Sequence, residues 1–330
     1  MSQFTPVLTD PGDVSYDDGS TPVAQRGVVD RVYGFLRRIP ASFLWIIVII
    51  WSLPTIGLLV NSFRTRDAQR ASGWWEAIGE LDDLTLGNYR TVMDASGTVS
   101  LGDSLLNSFA IAIPATVIPI AMAAFAAYAF AWIDFRGRKG LFIITVSLLA
   151  IPLQVALIPL LQLYVGGAHL TLPFIDKTIT LIPDLDLAGQ TTAVWLTHAG
   201  FALPFAIFLL HNYISGLPKD LFEAARIDGA DHFTVFWRLV LPLSIPVLAA
   251  FAIFQFLWTW NDYLIANTMV GSNPDAVPTT IRIANLAGDF GRNEYLLPSA
   301  AFIQAIVPVC VFFALQRYFV RGLLAGSVKG

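Results

Sequence analysis

Residues 41–60 read ASFLWIIVIIWSLPTIGLLV, twenty consecutive positions without a charged side chain. About 20 apolar residues in a helix are enough to cross the roughly 30 Å hydrocarbon core of a bilayer. The whole chain of 330 residues is 55% hydrophobic and only 13% charged, whereas soluble domains carry about 25% charged residues. The composition therefore predicts an integral membrane protein.

Five further apolar stretches follow, and each is apolar on all sides rather than along one stripe, which is typical of a membrane span. They cover residues 105–133, 141–165, 192–210, 243–260 and 298–320. We predict an all-α integral membrane fold with six transmembrane helices in one domain, residues 28–330. Residues 1–27 are rich in Asp, Pro, Gly and Ser, which predicts a disordered acidic tail.

The distribution of basic residues predicts the orientation. If the N-terminus is cytoplasmic, thirteen of the twenty Lys and Arg residues fall on the inner side. Positive charge accumulates on the cytoplasmic side of membrane proteins. The count therefore favours a multi-pass protein of the cell membrane with both termini in the cytoplasm. The first outer segment, 61–104, does not fit this orientation well, because its basic residues Arg64, Arg66 and Arg70 lie close to a span.

Several kinds of chemistry are missing from the sequence. There is no Gly-x-x-x-x-Gly-Lys-Ser/Thr phosphate-binding loop, no His-Glu-x-x-His and no Gly-x-Ser-x-Gly, so we expect neither an ATPase site nor a common hydrolytic site in this chain. The net charge of −4 argues against binding to nucleic acid. His198 and His211, near the ends of span 4, are interpreted as interfacial hydrogen-bonding residues, with a role in a transport pathway as the alternative.

The segment between spans 4 and 5, residues 216–242, predicts a short helix on the membrane surface. Pro218 suits the first helical position, and Asp228-Gly229 supplies a stop because Gly tolerates positive φ. Leu217, Leu221, Phe222 and Ala225 recur at helical spacing, which indicates one apolar face. From these residues alone, a rigid protrusion for a partner and a plain interfacial linker both remain open.

A resemblance adds to this picture. Part of the segment is similar to the EAA loop of permease subunits of ABC importers, through Glu223-Ala224-Ala225, Asp228-Gly229-Ala230, Phe236 and Leu241-Pro242. We call residues 216–242 the EAA loop. The resemblance implies that Glu223, Ala224, Ala225, Asp228 and Gly229 dock on one of two ATP-binding subunits, which hold ATP and Mg. The other implied partners are a second permease subunit, as a distinct chain, and an extracytoplasmic solute-binding protein.

Two more stretches resemble the carbohydrate-uptake branch of these permeases, and in particular its maltose-type second permease subunit. They are Trp258-Thr259-Trp260-Asn261-Asp262-Tyr263-Leu264 and the C-terminal tail, residues 317–330. The tail is implied to reach the ATP-binding subunits through Gly326, Lys329 and Gly330, and a merely flexible end is the alternative. The outer loop, residues 267–297, is implied to meet the solute-binding protein, although a plain surface connection would also fit it.

The candidate solute pathway lies in span 5 and just beyond it. It comprises Gln255, Trp258, Trp260, Asn261, Asp262 and Tyr263. Aromatic faces and side-chain amides or carboxylates suit a sugar, and an ionisable group within the bilayer is a functional candidate. The alternative is an aromatic belt with Asn261-Asp262 at the membrane surface. Gln154 and Gln162 are weaker candidates, since such residues often bond neighbouring helices.

The sequence is therefore interpreted as a six-span permease subunit of a binding-protein-dependent ABC importer for a carbohydrate, an oligosaccharide or a glycoside. ATP-driven alternating access is the implied mechanism, and the chain itself has no enzyme activity or cofactor. Two alternatives remain: import of another solute, such as a glycerol phosphate or a polyamine, and an ATP-independent channel or membrane scaffold.

Overall fold

A computed structural model describes residues 40–94, 100–172, 177–271, 273–288 and 292–327, the side chains of 171–172, 177 and 317–327 excepted. The predicted acidic tail, residues 1–27, lies outside these ranges, as do Lys329 and Gly330. The helices are α1 Ala41–Phe63, α2 Arg66–Ala71, α3 Gly87–Met93, α4 Leu101–Trp132, α5 Arg138–Ser147, α6 Leu153–Gly166, α7 Thr191–Ser215, α8 Lys219–Ile227, α9 His232–Val235, α10 Leu241–Trp260, α11 Leu264–Val270, α12 Thr279–Gly288 and α13 Leu297–Ser327.

Short 3-10 turns occur at Trp74–Ile78, Leu81–Asp83, Leu148–Ala150, Pro274–Ala276 and Glu294–Leu296. The chain falls into two compact units, one ending at Ile56 and one beginning at Gly57. In the first unit, α1 exposes large apolar side chains, including Trp45 and Trp51.

Five helical segments within the described ranges are long and apolar enough to cross a membrane: Ala41–Phe63, Leu101–Trp132, Thr191–Ser215, His232–Trp260 and Glu294–Gln316. A sixth is formed by α5 and α6 together, which bend by 103° at the break between them. The six-helix prediction is therefore confirmed when this bent pair is counted as one span.

The break in span 3 has a local cause. Ile151 is extended, with ψ 116°, because the ring of Pro152 disfavours helical geometry in the residue before it. Pro152 also lacks an N–H to donate into a helix. The apolar stretch 141–165 therefore contains parts of two helices, with the break at Ile151 and Pro152.

A β-hairpin interrupts the otherwise helical chain. Strand β1, Ala168–Leu172, pairs antiparallel with β2, Lys177–Ile182. Our prediction of helices alone missed it. The signal was present in Thr178, Ile179 and Thr180, because β-branched residues in a short run favour a strand.

The core of the second unit depends on small residues. Ala112, Ala123 and Ala127 of α4 are fully buried, as are Ala193 and Ala206 of α7. Alanines allow two helices in a membrane to approach closely and gain van der Waals contact. Around this pairing, one apolar cluster includes residues of the EAA loop, and a second lies where α6, α7 and α11 meet.

Candidate functional site

The EAA loop begins with a short helix whose end is tightly defined. Helix α8 follows Pro218 directly and stops at Ile227. Gly229 has φ +77°, its N–H donates to the carbonyl oxygen of Arg226, and the N–H of Ala230 donates to that of Ala225. These two bonds form a Schellman motif. The predicted helix and its glycine stop are thus confirmed.

Helix α8 presents an apolar side to the protein and leaves its other side open. Phe222 is buried, and its ring stacks on the indole of Trp132 with centroids 3.6 Å apart. Glu223 and Ala224 are exposed, and Ile227 is 86% exposed. Helix α8 therefore buries Phe222 against α4 and leaves Glu223, Ala224 and Ile227 exposed on its surface.

The chain then turns directly into span 5. The carboxylate of Asp231 accepts a hydrogen bond from the N–H of Thr234 at 2.8 Å, and bonds from Thr234 hold the pKa of that carboxyl below its usual range. The prolines at the base of span 5 do not end this second helix, since α9 continues through a π turn, Phe236–Val240, into α10. A π turn shifts the bonding pattern by one residue, which suits a proline without an N–H.

Gly229 permits a specific test of the loop. An added Cβ would meet no atom of this chain within 4 Å, so within the chain a substitution acts through backbone strain, about 1–2 kcal/mol for an L-residue in this region. We expect Gly229→Val to disfavour this helix end about fivefold to thirtyfold and thereby to lower ATP-driven uptake in membrane vesicles. Gly229→Asn is the matched control and should retain most of the uptake, because Asn tolerates this conformation. Equal uptake by the Val and Asn variants would contradict the explanation.

The second candidate region lies where span 5 ends. The Oδ2 atom of Asp262 accepts hydrogen bonds from the N–H groups of Ile265 at 2.9 Å and Ala266 at 3.1 Å. The same oxygen lies 3.4 Å from Nε2 of His198, an ion-pair distance without the geometry of a hydrogen bond. Asp262 thus caps the first turn of α11 and lies beside a histidine of span 4.

His198 is the main residue whose environment the sequence did not indicate. We interpreted it as an interfacial hydrogen-bonding residue, which is wrong: its side chain is fully buried. The edge of its ring packs against Trp258, with centroids 5.0 Å apart. The other histidine of the span, His211, packs against Phe142.

Two of the predicted pathway residues are held inside the helix packing. Gln255 is 1% exposed, and its amide donates to the carbonyl oxygen of Ala115 at 3.2 Å. Trp260 is 2% exposed and donates to the carbonyl oxygen of Gln304 at 3.1 Å. Asn261, by contrast, is exposed, and its side-chain amide donates to the carbonyl oxygen of Leu257.

Two others border open space. Tyr263 is 45% exposed. Trp258 forms part of the wall of a cavity of about 430 Å³ between the bent span 3 and α7. Apart from Tyr164 and Thr197, which bond each other at 3.2 Å, the lining of this cavity is apolar. The weaker candidates Gln154 and Gln162 do not belong to the lining.

The C-terminal tail is described only in part. Residues up to Ser327 continue helix α13, and Gly326 lies within it. The predicted contacts of Lys329 and Gly330 lie outside the described residues.

The site therefore belongs to a multi-span membrane protein that presents a rigid surface helix. The family model "Binding-protein-dependent transport system inner membrane component" matches residues 119–324. The chain belongs to this family of transport permeases. The match spans the EAA loop, the end of span 5 and most of the described tail.

Individual relatives are also transport permeases. The chain is 48% identical to an osmoprotective compounds uptake permease of Synechocystis, over 91% of this chain and 95% of that one. It is 39% identical to an α-glucoside transport system permease of Rhizobium meliloti, over 86% and 95%. A bacterial ABC transporter that imports alginate has the same fold, with a TM-score of 0.64 at 20% identity over 91% of this chain and 100% of that one.

Proposed function

We propose that this chain is a permease subunit that imports a carbohydrate, of the α-glucoside class, by ATP-driven alternating access. The observation that carries the proposal is the EAA loop: a helix anchored by Phe222 whose exposed side, with Glu223 and Ile227, faces away from the protein. A permease that contains no ATP-binding loop needs such a surface, because a separate ATP-hydrolysing subunit must contact it in order to move it. The α-glucoside permease among the relatives supports the substrate class.

In this proposal two ATP-binding subunits hold Mg-ATP and close around it. Helix α8 docks on one of them through Glu223, Ala224, Ala225, Asp228 and Gly229, and the end of the tail, Gly326, Lys329 and Gly330, adds a second contact. Closure moves the EAA loop and opens the solute cavity to the outside. Both chain termini are then cytoplasmic, which agrees with the excess of basic residues on that side.

The solute pathway lies between this chain and a second permease subunit. Trp258 and Asp262 are the best placed of the predicted pathway residues, because Trp258 borders a cavity and Asp262 lies beside the buried His198. Tyr263 and Asn261 are exposed in the isolated chain, so a second subunit can contact them. An extracytoplasmic solute-binding protein delivers the solute to the outer loop, residues 267–297. A solved alginate transporter with the same fold contains a periplasmic protein of this kind.

The experiment is uptake into vesicles that contain the complete complex. Radiolabelled maltose, trehalose and sucrose are offered with the cognate binding protein, and glycerol 3-phosphate and putrescine serve as comparison solutes. We expect accumulation of at least one α-glucoside only when ATP is present on the side of the EAA loop. Accumulation of glycerol 3-phosphate or putrescine alone would contradict the substrate class, and uptake without ATP would contradict the mechanism.

A further inference from the structure

Three aromatic side chains follow one face of α4 at the end nearest the EAA loop. Phe125, Tyr128 and Trp132 are spaced by three and four residues, the spacing that places side chains above one another on a helix. We call these three residues the aromatic ladder. Each of them contacts a different part of the EAA loop, although α4 and the loop are far apart in sequence.

The outermost contact joins the ladder to the docking helix itself. The indole of Trp132 stacks on Phe222 of α8, 3.6 Å between centroids and 16° between planes. Its Nε1–H also donates to the carbonyl oxygen of Ile214, at the end of α7, at 3.1 Å. One side chain therefore ties together α4, α7 and the helix proposed to meet the ATP-binding subunit.

The two inner contacts join the ladder to the segment that leads into span 5. The hydroxyl of Tyr128 lies 2.9 Å from Nδ1 of His232 in α9. The ring of Phe125 stacks on Phe236 in the π turn, with centroids 4.5 Å apart. The loop thus contacts α4 over two helical turns, a broad contact that resists both sliding and rotation.

The opposite end of α4 is bonded to the outer loop. The amide of Asn107 donates to the carbonyl oxygens of Asp275 at 2.8 Å and Val277 at 3.2 Å. The hydroxyls of Ser108 and Thr279 share a hydrogen bond of 3.0 Å. The 32 residues of α4, at about 1.5 Å each, reach roughly 48 Å. A single helix therefore connects the EAA loop with the outer loop.

We infer that α4 is the element that links the two ends of the transporter, so that movement of the EAA loop is passed through the aromatic ladder to the segment held by Asn107 and Ser108. This inference rests on the proposed docking of α8. It specifies how movement at the docking helix reaches the outer loop. Movement also passes through α4 in the opposite direction, so that a solute-loaded binding protein at the outer loop signals to the ATP-binding subunits through the same helix.

The test uses purified complex in vesicles, with ATP hydrolysis measured before and after addition of the solute-loaded binding protein. Tyr128→Phe removes one hydroxyl from the ladder, and Asn107→Ala removes the amide at the other end. We expect Tyr128→Phe to reduce the stimulation by the binding protein about threefold to tenfold, the effect of one lost hydrogen bond, and Asn107→Ala, which loses two hydrogen bonds, to reduce it at least as much. The uptake per ATP hydrolysed should fall with it.

The matched control is Phe130→Leu. Phe130 is an aromatic residue of the same helical turn, but it packs against Phe135 and Phe142 rather than against the EAA loop. Its replacement should leave stimulation unchanged. Full stimulation in both Tyr128→Phe and Asn107→Ala, or an equal loss in Phe130→Leu, would overturn the inference.

Copurification of the ATP-binding subunit with each variant distinguishes a failure of this inference from a failure of the proposed function. Equal recovery with all variants is expected. Loss of that subunit from Tyr128→Phe would overturn the inference, because the ladder would then shape the docking surface rather than pass on its movement. Failure to recover any such subunit with the unaltered chain would overturn the proposed docking, and the inference with it.

Discussion

Glu223→Lys should reduce ATP-driven uptake by more than about 100-fold and leave the protein folded in the membrane. Glu223 is exposed on α8, and within the described part of the chain it makes no ion pair or side-chain hydrogen bond. Exposed positions of this kind usually change stability by no more than about 0.5 kcal/mol. A charge of the wrong sign at an interface costs several kcal/mol, and every 1.4 kcal/mol is a tenfold loss of affinity.

The matched control for Glu223→Lys is Asp134→Lys. The side chain of Asp134 is 98% exposed and forms an ion pair with Arg138 at 2.9 Å. It lies beyond the end of α4 and outside the EAA loop. Because exposed ion pairs contribute about 0–1 kcal/mol, Asp134→Lys should transport nearly normally. Normal uptake by Glu223→Lys, or a comparable loss in Asp134→Lys, would contradict a specific docking role.

Trp260→Ala and Trp258→Ala should fail in different ways, although only one residue separates them. Trp260 is 2% exposed, stacks on Phe256 and bonds the carbonyl oxygen of Gln304. Truncation of a buried aromatic residue costs about 3–5 kcal/mol, so Trp260→Ala should lower the melting temperature and the yield of folded protein. Trp258→Ala should fold, because Trp258 is only partly buried and borders a cavity.

Uptake kinetics complete this comparison. If Trp258 contacts the passing solute, its truncation should reduce uptake of an α-glucoside by at least about threefold, since an aromatic contact contributes about 0.5–1.5 kcal/mol. Thermal unfolding in detergent and initial uptake rates in vesicles measure the two effects separately. A destabilised Trp258→Ala with normal uptake per folded molecule would assign both tryptophans to helix packing.

The sequence was most informative where local chemistry decides the structure. The EAA loop is such a place, since a helix followed by Asp228-Gly229 needs only backbone rules to explain its end. The membrane spans could be predicted for a similar reason. In lipid, the backbone N–H and C=O groups of an apolar run must form hydrogen bonds with each other, which a helix provides. Both could be predicted without knowledge of any neighbouring element.

The sequence was less informative where distant elements meet. His198 and Asp262 are 64 positions apart in the chain, and only the packing of α7 against α11 brings them together. The same holds for Gln255, whose partner is a carbonyl oxygen of α4. The bend of span 3 is a different case, since Pro152 was visible. A proline predicts a kink, but the 103° angle depends on the surrounding helices.

The central claim is that α8 docks on a separate ATP-binding subunit, and cross-linking from Ile227 tests it most directly. The exposed Cys310 is first replaced by Ser, and a thiol-reactive cross-linker is attached to Ile227→Cys in native membranes. Asp134→Cys, an exposed position beyond the end of α4 and outside the EAA loop, is the control. We predict an adduct with an ATP-binding protein from position 227 and none from position 134. No such adduct from position 227, or an equal yield from both positions, would contradict the account.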